Sequence, residues 1–326
     1  MTDFSDMSIE DRKLHMELQY ILQPKDKELL EKVEKLTKNA ERCKKGGGSK
    51  ERILLVIGAS DTGKSTALAR IFGNMEAFQP YQNEHGYMVN PLLSLNCPNS
   101  CSPKTLAGAV LERWNLYAKP RSSAADMWSM VKRQLREREI LYLHLDEMQH
   151  VSTGETEEAI RDVQDFVKSL TQIDGWPLHL ILSGMPAQRR FMDSDEIANR
   201  ADVQRFDLVK PTAKNIEAME KVVRKIVQEH AGLEIGWTED DELTGRLIVA
   251  SKGAFATMIG ITRQACYRVF DSKRPTVEIA DFAAAYKTRR ASLKSDNPFT
   301  ASDWKSVNPS HSLSDMDEPN EKRKRK

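Results

Sequence analysis

Residues 58–66 carry a phosphate-binding pattern. The stretch Gly58, Ala59, Ser60, Asp61, Thr62, Gly63, Lys64, Ser65 and Thr66 fits G-x-x-x-x-G-K-[ST]. An apolar run precedes it and a helical run follows it, so the backbone N–H groups of the loop and a helix N-terminus can face phosphates. The pattern predicts a nucleotide site in which Lys64 neutralises charge on the β- and γ-phosphates and Ser65 is a ligand of Mg²⁺.

A pair of acids follows a second apolar run, Ile140–Leu145. Magnesium needs a further protein ligand at the end of a neighbouring strand, and Asp146 is placed to supply it. Glu147 is then the residue that orients and activates the attacking water. His144 and His150 flank the acids without a zinc-site spacing, so we interpret both as packing or surface residues. The Asn-Lys-x-Asp tetrapeptide of guanine-nucleotide proteins is absent, which favours ATP over GTP.

From Arg52 onward, short apolar runs alternate with helical stretches, which is typical of a parallel sheet covered by helices. The predicted strands are Ile53–Ile57, Pro91–Leu95, Ile140–Leu145, Leu178–Ser183 and Val203–Leu208. The predicted helices between them begin near Lys64, Lys104, Ala124, Glu157 and Pro186. After Pro211 the pattern is helical throughout, over Asn215–His230, Asp240–Ser251, Ala256–Phe270 and Ile279–Arg290.

The predicted fold class is therefore α/β, a three-layer P-loop domain with a five-stranded parallel sheet, joined to a small all-helical lid domain. We assign residues 1–50 to a helical extension of two short helices with a glycine-rich linker, and residues 51–210 to the P-loop domain. Residues 211–291 form the lid, and residues 292–326 form a flexible tail that is too polar to order itself. The basic run 322–326 is either a solvated terminus or a contact to nucleic acid or protein.

Composition limits the classes of protein to which this chain can belong. The formal net charge is +1, from 49 basic and 48 acidic residues, so bulk charge neither demands nor excludes nucleic acid. No stretch approaches the roughly 20 apolar residues of a membrane span, and the acidic N-terminus does not resemble a secretory signal. The four scattered cysteines suit a reducing compartment. We expect a cytoplasmic protein without a membrane role.

The arrangement as a whole resembles an AAA+ ATPase, because about 80 residues separate Lys64 from the acidic pair and leave room for an extra strand. Further blocks narrow the resemblance to the TniB/TnsC family of transposition ATPases, relatives of MuB. These blocks are residues 96–106, 145–150, 181–186, 196–200 and 296–299. The resemblance covers roughly Arg52 to Phe299.

The resemblance implies an ATPase that assembles on double-stranded DNA as an ATP-dependent homo-oligomer, either a ring or a helical filament. It implies a DDE transposase as the recruited partner, a TniQ-like targeting adaptor as a further partner, and release on ATP hydrolysis. Arg200 matches the arginine finger of the family, a role that suits a guanidinium fork facing a transferring phosphoryl group. Arg189, Arg190 and Arg205 are rival candidates close by.

The resemblance also implies DNA contacts, and the sequence departs from the family pattern at two places. Lys104, Arg121 and Ser123 match DNA-facing positions, and contacts of this kind to phosphates position a protein without reading sequence. Ser183-Gly-Met185 replaces the usual Val-Gly-Thr, so Ser183 is the candidate residue that senses the γ-phosphate. Residues 253–257 lack the arginine that many relatives place there as a second sensor. Hydrolysis is then slow, or Arg263 takes that role.

Two alternative functions stay open on the sequence. One is a regulatory signalling ATPase in which DNA has no part. The other is a helicase loader or replication initiator of the same superfamily. A salt-dependent DNA gel shift separates the signalling alternative from the transposition reading, because binding to phosphates weakens steeply with salt.

Overall fold

Short strands and longer helices alternate along the chain. The computed structural model describes residues 4, 6–99, 101–119, 121–151, 156–185, 195–290 and 296–309. The strands are β1 (Ile53–Gly58), β2 (Tyr81–Gln82), β3 (Met88–Val89), β4 (Leu92–Asn96), β5 (Tyr142–Asp146), β6 (His179–Gly184), β7 (Ala201–Phe206), β8 (Glu234–Ile235) and β9 (Thr276–Val277). The α-helices are α1 (Ile9–Leu18), α2 (Pro24–Lys44), α3 (Lys64–Asn74), α4 (Pro103–Glu112), α5 (Ala124–Glu137), α6 (Glu157–Leu170), α7 (Asp195–Ala198), α8 (Ala213–Lys225), α9 (Leu243–Ala250), α10 (Phe255–Asp271) and α11 (Ile279–Arg290).

The main sheet has five parallel strands in the order β4-β5-β6-β1-β7. This confirms the predicted α/β class with a five-stranded parallel sheet. Each predicted strand is present within two residues at either end. The central strands β1, β5 and β6 are buried almost throughout, which is why they read as continuous apolar runs. The helix predicted near Pro186 lies outside the described residues.

Helices cover both faces of this sheet and make three layers. One face packs against α4, α5 and α6, through side chains such as Leu106, Val131 and Val167. The other face packs against α2 and α3, through side chains such as Leu36 and Leu68. The two apolar cores hold the sheet between them, so the ends of its strands are left to carry the polar residues of a site.

The helix α2 is part of the sheet unit rather than a separate extension. Contacts divide the chain into two compact units, Gln23–Asp207 and the described parts of Met1–Leu22 with Leu208–Lys326. Leu29 and Val33 of α2 are fully buried against the sheet. The carboxamide of Asn39 donates to the carbonyls of Ser49 and Glu51, at 3.3 and 3.0 Å, and accepts from Ser49 N at 2.7 Å. The glycine-rich stretch was predicted to be a flexible joint, but hydrogen bonds from Asn39 thus hold its C-terminal end against α2.

The second unit is helical, as predicted, and has its own apolar core built from α8, α9, α10 and α11. It also contains one pair of two-residue strands, β8 and β9, which the sequence does not reveal. Another short pair, β2 and β3, forms an antiparallel hairpin in the sheet unit. Strands of two residues are too short to show the period-2 alternation that marks longer ones.

Residues 296–309 differ from the prediction of a flexible tail that begins at residue 292. Phe299 and Trp304 are buried against the helical unit. Arg246 donates to the carbonyls of Pro298 and Ala301, and Trp304 Nε1 donates to Glu242 at 2.8 Å. Two buried aromatic side chains and a half-buried arginine hold a segment that is otherwise polar. Residues 310–326, with the basic run, lie outside the described residues.

No helix among the described residues is both long and apolar enough to cross a membrane.

Candidate nucleotide site

The loop between β1 and α3 has the backbone conformation that a phosphate cradle needs. Gly63 caps α3 with φ of 95°, and Asp61 has φ of 58°. Positive φ at successive turns aims N–H groups inward, and Gly63 adopts it without steric cost. At Gly58 an added Cβ would lie 2.5 Å from the carbonyl oxygen of Phe206 in β7. The loop therefore passes too close to the neighbouring strand for any side chain at Gly58.

Lys64 is held inside this loop. Its Nζ donates to the carbonyl oxygens of Gly58 and Ala59, both at 2.8 Å, and its side chain is buried. Burial lowers the pKa of Lys64, and the charges of Asp146, Glu147 and Asp61 oppose that shift. A cation is thus fixed at the centre of a loop whose N–H groups favour anions.

Ser65 and Asp146 meet at the end of the sheet. The Ser65 hydroxyl, at the start of α3, donates to Asp146 Oδ2 at 3.0 Å. A hydroxyl and a carboxylate oxygen that converge on one point fit a magnesium ion, which takes one or two protein oxygens and completes its shell with water and phosphate. Among the described residues, no group of three or more His, Cys, Asp or Glu side chains could cage a metal.

Asp146 is held on its other oxygen. The Ser183 hydroxyl, at the end of β6, donates to Oδ1 at 2.6 Å, and Glu147 N donates to the same oxygen at 2.9 Å. Burial alone would raise the pKa of Asp146, but these hydrogen bonds, the nearby His144 and the Ser65 hydroxyl together lower it. The carboxylate therefore stays ionised and presents a fixed Oδ2 toward the loop.

Glu147 turns the chain directly after β5. Its φ of 58° is in the left-handed region, which non-glycine residues rarely adopt. This turn directs Glu147 N back toward the Asp146 carboxylate. The half-buried Glu147 side chain begins at the same end of the sheet as the P-loop, because the carboxyl ends of parallel strands share one edge.

His144 is the residue that the sequence interpretation missed. It is buried, its Nε2 lies 2.8 Å from Ser183 Oγ, and its Nδ1 lies 2.8 Å from Ser94 Oγ of β4. Burial lowers the pKa of His144 to about 4, so the imidazole is neutral near pH 7. The period of two in β5 already places His144 and Asp146 on one face, and that signal could have found it.

Arg200 lies away from its own P-loop. Its carbonyl accepts from Ile53 N at 3.0 Å, at the amino end of β1, whereas Gly58 ends that strand. Five residues of strand separate the two by about 16 Å at ~3.3 Å per residue. Of the rival arginines, Arg205 is exposed and paired with Asp207 at 3.0 Å. Arg189 and Arg190 lie outside the described residues.

The residues matched to DNA contacts lie at two helix starts. Lys104 is exposed in the first turn of α4, and Arg121 is exposed just before α5. The Ser123 hydroxyl caps α5, since it accepts from Asp126 N at 3.1 Å and donates to Asp126 Oδ2 at 2.7 Å. Ser123 therefore already has a structural role in its helix.

In the helical unit, Arg263 has a structural contact of its own. Its guanidinium donates to the carbonyl of Gln19 at 2.7 Å, just after α1. Burial lowers the pKa of Arg263. The guanidinium of Arg263, the candidate second sensor, is thus already used to hold α1 against the helical unit.

The sheet order, the loop after β1 and the acid at the end of β5 together define a P-loop protein of the AAA+ class. A family model described as "Bacterial TniB protein" matches residues 14–210, which is more than half of the chain. The chain belongs to the TniB family. A search among curated proteins found no matching relative.

Several solved structures have a similar fold. Cdc6p from Pyrobaculum aerophilum is 13% identical, with a TM-score of 0.59 over 85% of this chain and 70% of that chain. The ORC1 protein of Aeropyrum pernix, solved in complex with DNA, is 15% identical, with a TM-score of 0.58 over 87% and 70%. The ORC2 protein of Aeropyrum pernix, solved as ADPNP-ADP complexes, is 14% identical, with a TM-score of 0.55 over 86% and 72%. At such low identity these likenesses show the fold alone.

Proposed function

We propose that this protein is an ATP-dependent, DNA-binding regulator of transposition that hydrolyses ATP. It assembles on double-stranded target DNA as a homo-oligomer, recruits a DDE transposase, acts with a TniQ-like adaptor, and is released on hydrolysis. Family membership supports this role, and the contact between Ser65 and Asp146 is the observation that carries the ATP site. In this proposal residues 51–210, with α2, form the nucleotide-binding domain and residues 211–291 form the lid.

The residues of the site divide the work of hydrolysis among them. The loop 58–66 binds the phosphates with its N–H groups, and Lys64 neutralises their charge. Ser65 and Asp146 would hold Mg²⁺, which when bound would neutralise negative charge on the phosphate oxygens. Glu147 accepts a proton from the attacking water. Ser183, which is hydrogen-bonded to Asp146, is the residue that would sense the γ-phosphate.

Arg200 acts on the nucleotide of a neighbouring copy. Its position at the opposite end of β1 from the P-loop supports this, because an arginine side chain cannot span that distance. The proposal makes a complementation test available. Arg200→Ala and Glu147→Gln should each abolish hydrolysis alone, and a mixture of the two should regain it at interfaces that combine an intact Glu147 with an intact Arg200. A mixture as inactive as its components would remove Arg200 from this role.

DNA lies along the edge where α4 and α5 begin. Helix α4 follows β4, helix α5 precedes β5, and each helix is antiparallel to its strand. Because β4 and β5 are parallel, α4 and α5 are parallel to each other, and Gly108 of α4 lies beside Met127 of α5. Their N-termini are therefore level, with Lys104 and Arg121 both exposed there. Helix N-termini and basic side chains attract phosphates without reading bases, which suits a protein that accepts many targets.

The DNA role is tested by a gel shift over a range of salt concentrations, with ATPγS and a duplex of arbitrary sequence, and with electron microscopy of the same samples. Wild-type protein should form DNA-bound oligomers only with nucleotide, and Lys64→Ala should form none. The double variant Lys104→Ala, Arg121→Ala should bind weakly, with a slope of log K against log salt that is shallower by about two. The control is Lys27→Ala, because Lys27 is a mostly exposed lysine on α2. Monomers without DNA affinity would favour the signalling alternative.

A further inference from the structure

We propose that His144 is a positioning residue for the magnesium ligand Asp146, acting through the hydroxyl of Ser183. The inference rests on the proposed nucleotide site. It assigns a role in that site to the buried His144 of β5, one strand away from β6, and to the exposed Ser94 of β4, two strands away.

The contacts form one continuous line through the sheet. Ser94 of β4 lies beside His144 of β5 in the strand register, with Oγ and Nδ1 2.8 Å apart. His144 Nε2 lies 2.8 Å from Ser183 Oγ, and Ser183 donates to Asp146 Oδ1 at 2.6 Å. Ser65 then donates to Asp146 Oδ2 at 3.0 Å. Three strands and the P-loop helix are thus linked by hydrogen bonds that end at the carboxylate.

The direction of each hydrogen bond from His144 and from Ser65 to the Asp146 carboxylate is forced. The Asp146 carboxylate only accepts, so the single hydrogen of the Ser183 hydroxyl points to Oδ1. Ser183 Oγ must then accept from His144, which places the ring hydrogen on Nε2. A neutral imidazole has one N–H group, so Nδ1 accepts from the Ser94 hydroxyl. Nε2 of His144 therefore carries a hydrogen, and in a neutral ring this is the Nε2–H tautomer.

The line fixes which oxygen of Asp146 is available. Ser183 and Glu147 N both use Oδ1, so Oδ2 faces Ser65 and is the oxygen that would bind the metal. Without the His144 N–H, the Ser183 hydroxyl can rotate and donate elsewhere, and Asp146 loses an orienting contact. Replacing a side chain that orients a metal ligand typically lowers metal affinity by 10- to 100-fold. The loss should appear only when Mg²⁺ is present.

The affinity for N-methylanthraniloyl-ATP, measured with Mg²⁺ and again with EDTA, shows whether His144 orients the magnesium ligand Asp146 or only stabilises the fold. His144→Phe should weaken binding about tenfold with Mg²⁺ and leave binding in EDTA unchanged. His144→Gln can place an amide N–H near the position of Nε2 and should restore most of the loss. His179→Phe is the matched control, since it also replaces a buried histidine of the sheet, but one without contact to Ser183 or Asp146. Equal losses in Mg²⁺ and EDTA, or no rescue by glutamine, would overturn the proposal.

The tautomer is tested on the wild-type protein alone, which keeps the inference separate from nucleotide binding. Long-range ¹H–¹⁵N spectra of histidine-labelled full-length protein, assigned by the signals missing in His144→Gln, should show a hydrogen on Nε2 of His144. A ring with its only hydrogen on Nδ1 would overturn the proposal. If wild-type protein showed this tautomer but bound no ATP, the proposed function would fail while the hydrogen-bond line remained.

Discussion

The two sides of the nucleotide site are built in different ways, although they meet between Ser65 and Asp146. The P-loop is a continuous stretch whose shape comes from its own backbone, with positive φ at Asp61 and Gly63. The Asp146 side is assembled from residues of three strands that are far apart in the chain. A local motif thus defines one side, and the register of the sheet defines the other.

Removing the cation of the P-loop should produce the largest effect. Lys64→Ala takes away a buried ammonium group that faces the phosphates, and charge-assisted contacts of this kind contribute about 1.5–3 kcal/mol each. We expect ATP affinity to fall roughly 100-fold, as measured by isothermal titration calorimetry. Lys50→Ala, an exposed lysine just before β1, is the control and should bind as wild type. Unchanged affinity in Lys64→Ala would mean that ATP binds elsewhere.

The backbone shape of the P-loop can be broken separately from its charge. In Gly58→Ala the new Cβ would lie 2.5 Å from Phe206 O, so the loop must shift. Overpacking of this kind typically costs about 1–3 kcal/mol, and both the melting temperature and ATP affinity should fall.

The matched control for that change is Gly73→Ala. Gly73 lies in α3, an added Cβ there has no heavy atom within 4 Å, and alanine favours helix by about 0.5–1 kcal/mol. Its melting temperature should stay equal or rise. If both variants behaved alike, the close approach of Gly58 to β7 would have no role in the fold.

The assembled side depends on the sheet, and a buried histidine of β6 makes the sheet sensitive to acid. His179 is fully buried between Asn39 and the Pro177 carbonyl, with Arg52 and Tyr142 nearby. Burial lowers its pKa to about 4 from 6.5. The unfolded chain therefore binds a proton near pH 6.5 that the folded chain refuses until about pH 4. Stability from His179 is complete above pH 6.5 and is lost as the pH falls.

Between pH 7 and pH 5.5 this linkage should lower the free energy of unfolding by about 1 kcal/mol. Urea denaturation followed by tryptophan fluorescence measures it. His179→Asn should lose this part of the pH dependence and keep the rest. The same slope in wild type and variant would show that His179 takes up its proton equally in both states.

The sequence is sufficient to predict the P-loop side of the site and the five strands of the main sheet. The glycines and Lys64 stand at fixed spacing, and the apolar runs of the sheet are long enough to be recognised. The amphipathic pattern of α2 indicates a covered face but not its partner, so its place against the sheet could not be predicted. That place depends on contacts such as Asn39 to His179, which join residues far apart in the chain.

The missed residues share one physical cause. The period of two places His144 on the same face as Asp146, but its contact with Ser94 forms only when β4 and β5 align in register, and no local pattern specifies that alignment. Residues 296–309 look too polar to order, yet Phe299 and Trp304 find apolar sites on helices that are distant in sequence. Local composition describes a segment by itself, whereas burial depends on what the rest of the fold offers to it.

The affinity for ATP measured by calorimetry with Mg²⁺ and again with EDTA, in wild type and in Asp146→Asn, tests the link between the two sides most directly. Wild-type protein should bind ATP at least about tenfold more tightly with Mg²⁺, and Asp146→Asn should lose most of that difference while keeping its affinity in EDTA. An equal gain from Mg²⁺ in both proteins would contradict a magnesium site shared by the P-loop and the acid of β5.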